Sequence, residues 1–181
     1  MSAINRKNVK IAIVAAATNA SSVATTDYIL GEIKSYDKTG GEKAFETDAH
    51  FGGDVALDKP RDLFELSFDV TPNDESADRW ESLSYGSTTI GSDTVYITST
   101  SPTDKAVFIQ SVDEDGSSNP MSWGFDNCRV TVLDMSHNAD ENMKKKLSIK
   151  FSSENEDGRS NFMASKVLVS ALPDWTDLPN A

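Results

Sequence analysis

The chain has 181 residues, 38% of them hydrophobic and 25% charged, with 29 acidic against 17 basic side chains and a formal net charge of -12. That length defaults to one globular domain with a real core. The carboxylate excess argues against holding nucleic acid through clustered Lys and Arg, and a lone cysteine, Cys128, excludes an internal disulfide.

Arg6, Lys7 and Lys10 flank the apolar stretch 11–17, which imitates a short secretory signal. The run is at the lower limit for a signal and far too short to cross a bilayer. It reads as an N-terminal arm or strand, residues 1–26, and no membrane span is expected anywhere. Residues 27–36 read as a strand, with Ile29 and Ile33 on one face and Glu32 and Lys34 on the other. Gly31 in mid-strand points to a bulge or a close backbone approach.

Residues 37–61 carry Gly40-Gly41, Gly52-Gly53 and Pro60, with little periodicity. They read as a long loop with Phe45, His50 and Phe51 as apolar or aromatic anchors, or in part as a hairpin with a strand at 43–46. A structureless stretch of this length inside one domain is usually functional.

Residues 62–86 organise the reading. Phe64, Leu66, Phe68 and Val70 alternate with Glu65, Ser67 and Asp69, the period of a strand with one apolar and one acidic, wettable face. Pro72 cannot donate to a ladder and ends it. Asn73 is an expected N-cap, and Ala77, Trp80 and Leu83 recur at helical spacing before Gly86, so a short amphipathic helix should pack there.

Further on, 94–100 and 106–112 read as a hairpin across the turn 101–104. A long strand falls within 121–135, another at 147–151, and a last one at 162–172. Residues 136–146 are charged enough for a helical turn, and the basic run 144–146 reads as a solvated face. The tail 173–181 reads as extended. The fold expected is mainly β: an antiparallel β-sandwich or partial barrel of seven or eight strands with one flanking helix.

No G-x-S-x-G, P-loop, H-E-x-x-H or C-x-x-C occurs. His50 and His137 are far apart, and Cys128 alternates with Val130 and Val132 as a core residue would. Asp113, Asp115 and Gly116 imitate the start of a calcium loop but lack its remaining ligands. No catalytic residue, metal or cofactor is therefore expected. Trp80 and Trp123 suit a core, and Trp175 suits an anchor on a neighbouring molecule. A sugar- or receptor-binding sandwich using Trp123 or Trp175 is the alternative.

The segment from Ile29 to Pro72 carries a resemblance. Its pieces are Gly31-Glu-Ile33, Ser35-Tyr36, Gly40-Gly41-Glu42, Glu46-Thr-Asp48, Phe51-Gly52-Gly53, Pro60, Glu65-Leu-Ser67-Phe68-Asp-Val70 and Pro72, continued by 77–80 and Tyr85-Gly86. It resembles the major tail tube proteins of long, non-contractile-tailed bacteriophages, over roughly the first half of the chain. The resemblance implies a structural virion protein, made in the host cytoplasm, whose hexameric rings stack into a tube that conducts DNA. It implies a tape-measure protein and tail-tip or terminator proteins as partners. Glu32, Lys34, Glu65, Ser67 and Asp69 would then face the lumen. Gly40, Gly41, Glu42, Phe45, Phe51, Gly52 and Gly53 would lie in a loop reaching the next ring. A tail terminator or a secretion tube is the related alternative.

Overall fold

A computed structural model describes residues 8–28, 31–42, 45–50, 53–58, 63–72, 86–97, 104–113, 115–116, 118–136, 144–151 and 160–179. The fold is mainly β and antiparallel, as expected, and the described residues form no closed barrel. The strands are β1 (Asn8–Ala15), β2 (Gly31–Thr39), β3 (Phe45–His50), β4 (Gly53–Asp58), β5 (Phe64–Pro72), β6 (Gly86–Ile90), β7 (Asp93–Ile97), β8 (Lys105–Val112), β9 (Met121–Ser136), β10 (Lys144–Phe151) and β11 (Phe162–Ser165). The expected helix around Ala77, Trp80 and Leu83 lies outside the described residues, and Gly86 opens β6.

One sheet runs β1-β8-β9-β10-β5-β2, with β11 on β9; β3-β4 and β6-β7 form separate two-stranded sheets. The alternation in β5 sets its faces: Phe64, Leu66, Phe68 and Val70 are all buried, while Glu65 and Ser67 are half-buried and Asp69 is exposed. Each of those apolar side chains contributes about 1.5–3 kcal/mol by leaving water. They share one core cluster with Ile11, Val107, Ile109, Phe125 and Cys128. Strands near opposite ends of the sheet order thus meet on one core, so the sheet curls on itself. The isolated bridge Ala12↔Tyr28 brings the chain just before β2 against β1. At the rim, Lys38 Nζ lies 5.1 Å from the Phe64 ring centroid and 5.7 Å from that of Phe162, a cation–π lid over stacked rings.

β8 is buried on both faces. Its second face packs Ala106 and Phe108 with Ala12, Ala20, Met163, Val169, Leu172 and Trp175. A strand that reads Ala-Val-Phe-Ile belongs between layers, and this explains two corrections. β8 pairs with β1 and β9, while β7 pairs with β6 through the turn at Gly91-Ser92, where Gly91 has φ +69°. The expected 94–100/106–112 hairpin does not form. The last strand stops at Ser165, and 3-10 turns at Val169–Ala171 and Trp175–Asp177 carry the chain across the back of β8. The bulge expected near Gly31 falls at Lys34, between Ile33 and Ser35.

Residues 37–61 are not one long loop. β2 continues to Thr39, and β3 and β4 form a hairpin from Phe45↔Asp58 to His50↔Gly53. The N-terminal arm likewise supplies a full strand, β1, from Asn8↔Val112 to Ala15↔Lys105.

Candidate assembly surfaces

β9 is 16 residues long, and its two halves have different neighbours. Met121 to Cys128 pair with β8 on one side, while β11 and then β10 occupy the other. Beyond Cys128, the side of β9 vacated by β8 has no strand partner among the described residues. The outer side of β2 is open in the same sense. The second half of β9, with β10, β5 and β2, is therefore a four-stranded antiparallel wing open at both edges. Open edges expose a row of unpaired backbone donors and acceptors, which favours pairing with another chain.

One face of this wing is the core. On the other, β5 presents Glu65, Ser67 and Asp69, with Ser35, Asp37 and Thr39 of β2 alongside. Ser35 Oγ donates to Asp69 Oδ2 at 3.3 Å. The register sets Lys146 opposite Asp69 and Lys150 opposite Glu65. The register thus sets basic positions of β10 beside the acidic positions of β5. At the rim, Arg129 Nε and Nη2 each lie 2.9 Å from Asp104 Oδ1. Glu32 and Lys34 belong to β2, Glu32 opposite Thr71 and Lys34 at the bulge.

The loop residues divide. Gly40 and Gly41 have φ +79° and +76°, and a Cβ on either would collide with the Leu63 carbonyl or the Phe64 ring. Their first duty is local: they end β2 against the start of β5. Glu42 is exposed. Phe45 begins β3 and Gly53 begins β4, while Phe51 and Gly52 lie outside the described residues. The β3-β4 hairpin pairs with no strand of the large sheet among the described residues, and a lone two-stranded hairpin is marginal in water.

Trp175 corrects another expectation. It is buried within its own chain, its ring centroid 5.9 Å from that of Phe108. Its Nε1 donates to the Thr18 carbonyl at 2.9 Å, and its backbone N–H donates to Asn19 Oδ1 at 3.3 Å. The tail is a clasp joining the N- and C-terminal segments behind β8. An indole needs both an apolar bed and a partner for its N–H; Phe108 and Thr18 supply them inside the molecule. Trp123 is half-buried against the main core, so neither tryptophan projects freely as a stacking platform. The N-terminal chain is also held at Ala17, whose backbone N–H donates at 2.8 Å to the buried Asp126 carboxylate. Cys128 is fully buried; loss of hydration, reinforced by Asp126, pushes its thiol pKa well up. Such a thiol is an inert packing group.

No protein-family model and no curated protein matches the chain. Solved structures do. A chain of the sheath-tube complex of the extracellular contractile injection system PVC aligns with TM-score 0.54 at 12% identity, covering 91% of this chain and 93% of that one. A chain of the PVC sheath/tube terminator aligns with TM-score 0.55 at 11% identity, covering 91% and 98%. A chain of the tube-terminating cap of the anti-feeding prophage aligns with TM-score 0.54 at 12% identity, covering 92% and 93%. The chain has a tail-tube-like fold.

Proposed function

We propose that this chain is a structural, non-enzymatic subunit of a phage tail tube, whose copies join edge to edge into rings that stack into a hollow conduit for DNA. The observation that carries the reading is the wing with two open edges. Strand directions alternate through β9, β10, β5 and β2. The β2 of one copy therefore runs opposite to the β9 of the next, and the two edges can pair as an antiparallel ladder. That contact is head-to-tail, and such a contact closes into a ring when its rotation closes. Each copy would add four strands to a continuous inner wall. The fold shared with chains of injection-system tube and terminator complexes supports the reading. The resemblance around 29–72 adds the non-contractile-tail family, six copies per ring, and a tape-measure protein and tail-tip or terminator proteins as partners. The β3-β4 hairpin is the piece we assign to contact between rings.

A terminator ring is the second reading, favoured by the terminator chain aligning as well as the tube complex does. Negative-stain electron microscopy of concentrated protein separates them. Long tubes are expected for a tube subunit, and single rings alone for a terminator. Single chains at every concentration and salt tried would overturn both.

A further inference from the structure

The open edge of β2 carries an exposed aromatic ring on the wrong face for water. The register sets Tyr36 opposite Phe68 and Ile33 opposite Val70. Directly opposed residues point to the same side of a sheet, so Tyr36 stands on the core face of the wing. It is nevertheless 37% exposed, whereas Phe68 beside it is 2% exposed and Ile33 packs against the main core. Lys38, opposite Leu66 on the same face, turns inward over the Phe64 and Phe162 rings. The core face thus stays apolar up to the last strand but is not closed there. At the other edge of the wing, Val130 lies opposite Ile149, half-buried and packed on the same core. It falls just past Cys128, where β9 loses β8. A strand laid along that edge sets its own core-face residues beside Val130.

We propose that Tyr36 is the aromatic anchor of the contact between copies, its ring leaving water against the core face of the next copy's β9 at Val130. The inference rests on reading β2 and β9 as complementary edges, and it names the side chain that makes their contact tight and selective. Backbone ladders form between any two open edges; apolar seats for alternate side chains are what select the partner. Tyrosine suits such a seat, with a large apolar ring and a hydroxyl that can stay at the wet rim. It is also among the residues that dominate interface energetics. The occupant is a second copy because this one chain holds both halves of the contact. Its two edges run in opposite directions, and each presents an apolar residue on the same face of the sheet.

The test compares Tyr36→Ala and Tyr36→Phe with the wild type by sedimentation velocity over a range of concentrations, and by urea unfolding of the unassembled chain. Tyr36→Ala is expected to raise the concentration at which assemblies appear by about tenfold or more, the loss of an interface anchor. Its urea midpoint should stay close to the wild type, because the ring already meets water in the single chain. Tyr36→Phe keeps the apolar ring and should assemble like the wild type. Hydroxyl-radical footprinting of the wild type gives a second readout: Tyr36 should be oxidised in single chains and protected in assemblies. A Tyr36→Ala chain that assembles at the wild-type concentration overturns the proposal. So does one that unfolds or loses much of its urea midpoint, since the ring would then be core of its own subunit. Assemblies in which Tyr36 stays reactive overturn this inference alone, whereas a wild type that never assembles overturns the edge-pairing reading on which it rests.

Discussion

Replacing Trp175 with alanine separates a tail that closes its own subunit from one that reaches a neighbour. The side chain is 5% exposed, packs on Phe108 and donates its indole N–H to the Thr18 carbonyl. Truncating a buried tryptophan costs about 3–5 kcal/mol through lost transfer energy and the cavity left behind. The stranded Thr18 carbonyl adds about 1 kcal/mol if water cannot reach it. A total of about 4–6 kcal/mol lowers the thermal midpoint of a domain this size by roughly 8–24 °C. Trp175→Phe keeps most of the apolar contact and should lose only about 1–2 kcal/mol. The assay is urea unfolding of the unassembled chain, where an unchanged slope with a shifted midpoint reports stability alone. A Trp175→Ala chain that unfolds within about 0.5 kcal/mol of wild type yet no longer assembles would refute the self-clasp and restore the tail as a contact between molecules.

Three further outcomes follow from the same packing. Replacing residues 45–58 with a short Gly/Ser linker should leave the large sheet and its thermal midpoint nearly unchanged, since β3 and β4 pair with each other; lengthened tubes should disappear from micrographs, and a collapse of the far-ultraviolet spectrum would show the hairpin is integral to the core. Gly41→Ala should destabilise by at least about 1–3 kcal/mol, because φ +76° strains an alanine and its Cβ meets the Phe64 ring; chemical denaturation measures it, and a neutral result would mean the end of β2 can move. Burial raises the Cys128 pKa in the folded chain, so the unfolded chain loses its thiol proton first. Stability should therefore hold below about pH 8.5 and fall as pH rises toward the folded value, by at most about 1.4 kcal/mol per unit. The part of the slope between pH 8.5 and 9.5 should vanish in Cys128→Ala, and rapid labelling of the native thiol at pH 8 would contradict its burial.

What the sequence revealed of the fold follows from what period and composition encode. The alternation of Phe64 to Val70 set both the strand and its buried face, and the same signal placed β9 and β10. Pairing was harder to read. β8 was visible as a strand, but its neighbours are β1 and β9, decided by non-local packing on both its faces. Gly91-Ser92 between Ile90 and Asp93 was a short hairpin signal that pointed to β6 instead. The tail carried its own clue in Leu172, Trp175 and Leu178, apolar residues three apart that suit a segment laid on a sheet better than one reaching outward. Of the assembly surface, Glu65, Ser67 and Asp69 were legible from β5 alone. Lys146 and Lys150 were not, because a cross-strand partner is set by register, which local sequence does not specify.

The central claim is that β2 and the second half of β9 are unfinished edges that complete each other between copies. A cryo-electron microscopy map of the assembled protein tests it most directly. The account predicts a ring in which β2 of each copy lies about 4.8 Å from, and antiparallel to, residues 129–136 of the next. A map in which copies meet elsewhere, with the Lys34 bulge and the charges of β2 keeping that edge in solvent, would contradict it.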